Sequence, residues 1–186
     1  MSIGSGLGTS DKSRRILQAT LENVEVPCVV DADGLNLLSA HSRYMKNLVR
    51  GQFIFTPHMK EMSRITRKSV EELRNSRMEI LKQFAGEYDV TCVLKDARTC
   101  IFSPGEHPFV NLSGNAAMAK AGSGDVLAGV ITGLLAQKMS CFDAAVLGVY
   151  LHGLAGDEAK REKGSYSVLA RDLAENIGTV LKRLEE

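Results

Sequence analysis

No charge of one sign dominates this sequence: 23 Lys and Arg against 22 Asp and Glu leave a formal net charge of +1. That balance removes the usual basis for a general affinity for nucleic acid or for an anionic membrane. The one basic cluster, Lys12-Ser13-Arg14-Arg15, fits the exposed face of a helix better than a phosphate-tracking stripe. No two of the four cysteines, Cys28, Cys92, Cys100 and Cys141, stand in Cys-x-x-Cys spacing, so they point to no metal site. All four are read as reduced thiols of a cytoplasmic protein, and Cys28 and Cys92, within apolar runs, as small buried hydrophobes. Residues 1–11 are small and glycine-rich without an apolar h-region, so no signal peptide is expected. The most apolar run, Val126 to Ala136, is too short to span a bilayer. What is present, 44% hydrophobic and 24% charged residues, suits one globular domain over residues 1–186.

Strand-like and helix-like segments alternate, which predicts an α/β layered fold. Ser10 caps a helix whose apolar positions Ile16, Leu17, Leu21 and Val24 fall at helical spacing. Cys28-Val29-Val30 is a short unbroken apolar run of the buried parallel-strand type. Phe53-Ile54-Phe55 and Val90 to Leu94 supply two more strands. Thr99 to Ser103 and Pro108 to Leu112 flank Pro104-Gly105-Glu106, a hairpin signature. Ser69 and Glu72 predict a capping box for one charged helix running to about Ala85. Further helices are expected from about Gly124 to Ala136, from Ser140 with Asp143 completing a capping box, and at the C-terminal end.

Polar residues fall at the carboxyl ends of three of these strands: Asp31 and Asp33, His58, and Lys95. Ligands of open α/β sheets bind in the crevice above that edge. The strongest local signal is Ala121-Gly122-Ser123-Gly124-Asp125-Val126-Leu127-Ala128-Gly129. Its glycines let backbone approach a ligand closely, and the helix behind it aims free amides at the loop. Gly122, Ser123 and Gly124 therefore form a candidate anion hole, suited to the spread charge of a transferring phosphoryl group. Asp125, in the first helical turn, is the candidate general base. The plainer alternative is a turn with an acidic helix start. The small residues Ala128, Gly129, Gly133 and Ala136 weigh against it by predicting close packing beneath a site. Gly4-Ser5-Gly6-Leu7-Gly8 is a second glycine loop, neither a Walker A motif nor a full dinucleotide fingerprint. Only Met1-Ser2-Ile3 precede it, so no feeding strand is expected. His152, within an apolar helix, is read as structural.

Four motifs resemble, in order and spacing, the NAD(P)H-hydrate dehydratase family of the ribokinase-like superfamily. They are the Gly4 to Gly8 loop, Val30-Asp31-Ala32-Asp33-Gly34-Leu35-Asn36-Leu37-Leu38, Phe55-Thr56-Pro57-His58-x-x-Glu61-Met62 and Leu94-Lys95-Asp96-Ala97-Arg98-Thr99. The long block from Asn115 to Gln137 and Tyr150-Leu151-His152-Gly153-Leu154-Ala155-Gly156-Asp157 extend the likeness over nearly the whole chain. The resemblance implies a three-layer sandwich with a central, mostly parallel sheet flanked by helices. It implies nucleotide-driven loss of water from NADH or NADPH hydrate, by phosphoryl transfer to the ring hydroxyl and elimination. Carried over by motif, Asp125 is catalytic, and Gly6, His58 and Asp125 hold the hydrate. Lys95, Asp96, Ala97, Arg98, Thr99 and Gly124 hold ADP or ATP, with Mg2+ on the phosphates. The Thr-Pro-His form is similar to the bacterial branch, which favours ADP. A homotetramer is implied as well.

Two features depart from the family pattern. Ser5 stands where the glycine loop usually carries proline. Family members also carry a segment ahead of that loop, with several core strands and part of the substrate pocket. The expectation is therefore the catalytic two-thirds of such a domain, weak or dead unless complemented, its missing N-terminal portion supplied by another chain, cut away, or lost through a misplaced start codon. Two rival readings share the Gly-Ser-Gly-Asp turn: a small-molecule kinase of the same fold, and a non-catalytic nucleotide-binding subunit.

Overall fold

The computed structural model describes residues 1–185; Glu186, the last residue of the expected domain, lies outside them. Six strands form one sheet in sequential order: β1 (Ser2–Ile3), β2 (Cys28–Val30), β3 (Phe53–Phe55), β4 (Thr91–Leu94), β5 (Cys100–Phe102) and β6 (Phe109–Val110). The first four run parallel, so their carboxyl ends share one edge; β5 returns antiparallel to β4, and β6 pairs antiparallel with β5 in the expected hairpin. The sheet is thus mixed, with its parallel half next to the glycine loops.

The second and third residues correct the expectation that no strand feeds the Gly4 loop. Ser2 and Ile3 pair with Val29 and Val30, and the N-terminal ammonium donates to the Pro27 carbonyl at 2.8 Å. A two-residue strand carries no readable periodicity, so tertiary pairing alone defines it.

Side-chain alternation divides the core into two layers. Cys28, Val30, Phe53, Phe55, Cys92 and Leu94 face α1 (Asp11–Asn23), α2 (Ala32–Ala40), α3 (Met59–Thr66), α4 (Val70–Asn75) and α5 (Arg77–Tyr88). Val29, Ile54, Val93 and Ile101 face α6 (Ser123–Ala136) and α7 (Cys141–Lys163). Helices on both faces of a mixed sheet make the expected three-layer sandwich. Phe53, Ile54 and Phe55 are fully buried, which is why that strand reads as continuous apolar sequence. All four cysteines are free, and burial pushes the Cys28 thiol up to about 11 and Cys92 higher still. Among the described residues no helix is long and apolar enough to cross a membrane.

Helix boundaries bring three more corrections. The Ser69–Glu72 capping box is present, but the helix it opens stops at Asn75, and α5 restarts after Ser76. Asn75 and Ser76 are weak helix formers whose side chains compete for the backbone. The break redirects Arg77, which donates to Asp96 Oδ2 at 2.9 Å and to the Arg98 carbonyl at 3.2 Å. At Ser140, the hydroxyl accepts from the Asp143 amide and donates to its carboxylate. Asp143 therefore does not return the bond to the cap backbone, and half of the predicted box forms. On α6, Ala128 packs in the core, but Gly129 and Gly133 have open space where a Cβ would stand, so the close packing expected at these two glycines is absent. Close approach comes from α7 instead. A Cβ on Gly148, Gly153 or Gly156 would collide with Ile131, Ser113 and Met118 respectively.

The last helix, α8 (Ala170–Glu185), is held to α7 by two buried carboxylates. Glu158 accepts from Arg161 and from both Nη atoms of Arg183, and Asp172 pairs with Lys163 at 2.6 Å. Hydrogen bonds from Arg161, then Arg183, hold the Glu158 carboxyl down to about 2. Lys163 and the Leu169 amide lower Asp172 too. A depressed folded-state pKa stabilises above the ordinary carboxylate value and is lost as pH falls through the folded value. Acid should therefore loosen α8 between about pH 4.5 and 2. In Glu158→Gln, circular dichroism should show a transition with less pH dependence across that window. The same slope in both proteins would refute the latch.

Candidate functional site

The four parallel strands deliver their polar ends to one rim. The loop after β1, Gly4 to Gly8, lies directly on the start of α2. The Asp31 amide donates to the Ile3 carbonyl at 3.1 Å, and the Gly8 amide to Asp33 Oδ2 at 2.8 Å. Gly4, at φ 125°, leaves no room for a side chain: a Cβ would stand 1.8 Å from the Asp31 carbonyl oxygen. Steric overlap and a left-handed backbone together predict that Gly4→Ala destabilises by about 3 kcal/mol or more. Urea unfolding checks this; a loss below about 1 kcal/mol would show that the loop moves aside. Gly6, in contrast, meets nothing within 4 Å of a would-be Cβ and lies open at the rim.

At the ends of β3 and β4 the chain pairs once more, His58 with Lys95, and the Lys95 amide donates to the Pro57 carbonyl at 2.8 Å. His58 is the N-cap of α3. Its Nδ1 accepts from the Lys60 and Glu61 amides, while Glu61 Oε2 accepts from the His58 amide at 2.8 Å. An accepting Nδ1 leaves the neutral ring's proton on Nε2, 3.5 Å from Glu61 Oε1. The imidazole is thus fixed in tautomer and half exposed, with its outer edge available to a ligand.

Lys95 turns inward. Its ammonium donates to Asp31 Oδ1 at 2.7 Å, and Asp31 is only 2% exposed. The pair lies against the first turn of α6, since a Cβ on Gly124 would be 3.4 Å from Lys95 Nζ and 3.7 Å from Asp31 Oδ2. Gly122, at φ 88°, turns the chain into that helix. The Ser123 amide donates to the Lys120 carbonyl at 3.2 Å, whereas those of Gly124 and Asp125 have no partner among the described residues, so cation, amide donors and helix dipole converge there. Asp125 occupies the same turn, exposed and without a hydrogen-bond or ion-pair partner among the described residues. Beyond Lys95, the loop Asp96, Ala97, Arg98 and Thr99 is mostly exposed. Arg77 grips it from α5, and Thr99 Oγ1 bonds the Asp96 carbonyl at 3.3 Å.

The predicted residues therefore share one rim. Lys95 and Gly124 are in contact range of each other, whereas no hydrogen bond joins Gly6, His58 or Asp125 to one another. Three participants escaped the sequence reading of the site: Asp31 as the partner of Lys95, Arg77, and His152. Asp31 could have been found, because a lone carboxylate ending a buried strand requires a counter-charge. His152 lies beneath the turn, its Nε2 3.4 Å from Ser123 Oγ. Burial, with the Lys95 charge adding to it, lowers its pKa to about 4, against a raising contribution from the Ser123 backbone. The ring is neutral at pH 7. Asp157, from the same helix, accepts from the Gly114 amide and Asn115 Nδ2 at 2.9 and 2.8 Å. Two surface hollows of about 310 and 410 Å3 lie away from this rim, one beside α3 and α5 and one between β6 and α7. Neither is lined by any residue of the rim.

The chain as a whole is similar to known proteins. A family model described as NAD(P)H-hydrate dehydratase matches residues 1–179. The "Bifunctional NAD(P)H-hydrate repair enzyme Nnr" of Moorella thermoacetica is 41% identical over 186 residues, all of this chain and 35% of that protein. A Bacillus subtilis ADP/ATP-dependent NAD(P)H-hydrate dehydratase, co-crystallised with ATP/Mg2+, is 29% identical with a TM-score of 0.82, covering 98% of this chain and 63% of its own. A ribokinase-like superfamily protein from Enterococcus faecalis is 32% identical with a TM-score of 0.83, covering 98% of this chain and 62% of its own. The chain thus spans about a third of the Moorella relative and under two-thirds of each of these solved ones. The likeness confirms the ribokinase-like sandwich, and the match over residues 1–179 places this chain in the NAD(P)H-hydrate dehydratase family.

Proposed function

We propose that this chain carries the nucleotide-handling and catalytic part of an enzyme that returns NADH or NADPH hydrate to NADH or NADPH at the expense of ADP or ATP. The observation that carries the reading is one helical turn that holds the unbonded Gly124 and Asp125 amides and the unpartnered Asp125 carboxylate, with the Lys95 ammonium beside Gly124. In this reading Lys95, Gly124 and the Asp96 to Thr99 loop hold the nucleotide, and Gly122, Ser123 and Gly124 cradle the transferring phosphoryl group. Gly6 and His58 line the hydrate side of the rim. Asp125 takes the proton of the ring hydroxyl as its oxygen bonds to phosphorus and the phosphorus–oxygen bond to the nucleotide breaks. Phosphate then leaves with the carbon–oxygen bond while the neighbouring ring carbon gives up a proton, which regenerates the reduced ring.

The described residues bring no three His, Cys, Asp or Glu side chains together around one point. Magnesium is accordingly assigned to the nucleotide phosphates, where it supplies charge neutralisation, and this chain's donors act on the phosphoryl oxygens. ADP is the favoured co-substrate, the compartment the cytoplasm and the assembly a homotetramer. A further segment, on this polypeptide or a complementing one, completes the hydrate pocket; this chain's coverage of under two-thirds of its solved relatives supports that part of the reading.

The test supplies prepared NADH hydrate with ADP or ATP and magnesium to the protein with its pocket-completing segment present and follows NADH absorbance. Nucleotide-dependent recovery supports the reading. A phosphorylated product without recovery would make the protein a kinase, and nucleotide binding with neither outcome would make it a non-catalytic subunit.

A further inference from the structure

The sequence His152-Gly153-Leu154-Ala155-Gly156-Asp157 does no chemistry in the reaction above, yet it touches the loop that leads into the anion turn at Ser113, Gly114, Asn115 and Met118. Gly153 lets α7 press on Ser113, where a Cβ would come within 2.0 Å of the hydroxyl oxygen. Gly156 does the same for Met118, at 2.3 Å from its sulfur. Asp157 ties down Gly114 and Asn115, and the Tyr150 carbonyl accepts from Ser113 Oγ at 3.1 Å. His152 is the one member of this run that reaches past the loop to the first residue of α6, through the 3.4 Å contact with Ser123 Oγ. It is also a buried polar ring, and such groups persist where their hydrogen bond fixes geometry.

We infer that His152 is a positioning residue: its imidazole holds Ser123 so that the first-turn amides of α6 meet the phosphoryl group as charge develops on it. The inference rests on the functional reading above and assigns His152 no contact with substrate. The groups facing it are Ser123 from α6 and, across the turn, Lys95, whose charge is already committed to Asp31. A neutral ring orients the turn without adding a second buried cation that would compete with Lys95 for the same anion. Donors misplaced by a fraction of an ångström lose more of their value in the transition state than in the ground state. The effect should therefore fall on kcat rather than on KM for nucleotide.

Two variants separate positioning from packing. His152→Leu keeps apolar volume and removes the hydrogen bond; His152→Gln keeps a side-chain donor and acceptor of similar reach. In the free protein, amide hydrogen exchange at Ser123 and Val126, which donate to the Lys120 and Gly122 carbonyls, should rise about tenfold in His152→Leu and stay near wild type in His152→Gln. In turnover, His152→Leu should lower kcat at least about tenfold with nucleotide KM within about twofold, and His152→Gln should recover most of it. Equal losses in both variants, or unchanged exchange and kcat in His152→Leu, would overturn the inference. Exchange needs no turnover. If exchange responds as expected while wild type regenerates no NADH, the positioning stands and the proposed reaction falls.

Discussion

Asp125→Asn should lower the rate of NADH recovery by about 10²- to 10⁴-fold, the range a positioned general base contributes. The substitution is nearly isosteric and the side chain is exposed, so neither packing nor folding should change. Nothing in the described structure depends on this carboxylate: it accepts no hydrogen bond and makes no ion pair, unlike Asp31, Asp33, Asp96 and Asp157 around it. A carboxylate with no structural partner, held in the first turn of a helix that elsewhere presents only amides, is free for a proton. Nucleotide affinity should stay within about threefold, because the amides and Lys95 remain. Steady-state kinetics and ADP titration of the same preparation distinguish the outcomes. A kcat within tenfold of wild type would remove Asp125 from the chemistry, and a parallel loss of ADP binding would reassign it to the nucleotide.

Much of this arrangement is legible in the sequence, and the reasons differ by element. Phe53-Ile54-Phe55 and Cys28-Val29-Val30 read as strands because burial on both faces removes every polar position. Ser10, Ser69 and Ser140 marked helix starts because a cap is a local bond between residues three apart. The glycine turn before α6 was found because its chemistry is contained in consecutive residues. What escaped is non-local. The strand at Ser2–Ile3 exists only through pairing with β2, and the break at Ser76 serves Arg77, whose partners lie 19 and 21 residues ahead. His152 looked like any polar residue in an apolar helix until the fold set it against Ser123, 29 positions away. The small residues of α6 misled for the same reason: Gly129 and Gly133 lie open while the tight packing belongs to α7.

The Asp31–Lys95 pair, 64 residues apart in sequence, carries the second large expectation. Lys95→Met would strand Asp31, 2% exposed, without its counter-charge. Breaking a buried ion pair from one side costs about 3–5 kcal/mol. The Lys95 side chain is 20% exposed, which admits water and places the loss nearer about 2–3 kcal/mol. Removing the carboxylate as well, in Asp31→Asn with Lys95→Met, should restore stability to within about 1 kcal/mol of wild type, because no unpaired buried charge remains. Nucleotide binding should behave differently. Lys95 Nζ lies beside Gly124 at the anion turn, and a charge-assisted bond to phosphate contributes about 1.5–3 kcal/mol, roughly ten- to hundredfold in affinity. The double variant should therefore fold like wild type yet bind ADP as weakly as Lys95→Met alone. Urea midpoints and ADP titrations across the four proteins of the cycle provide the measurement. If affinity returns together with stability, Lys95 is only the structural partner of Asp31 and the phosphates are held by the α6 amides without it. If stability recovers alone, one ammonium serves both, anchoring the end of β2 while presenting its remaining protons to the nucleotide.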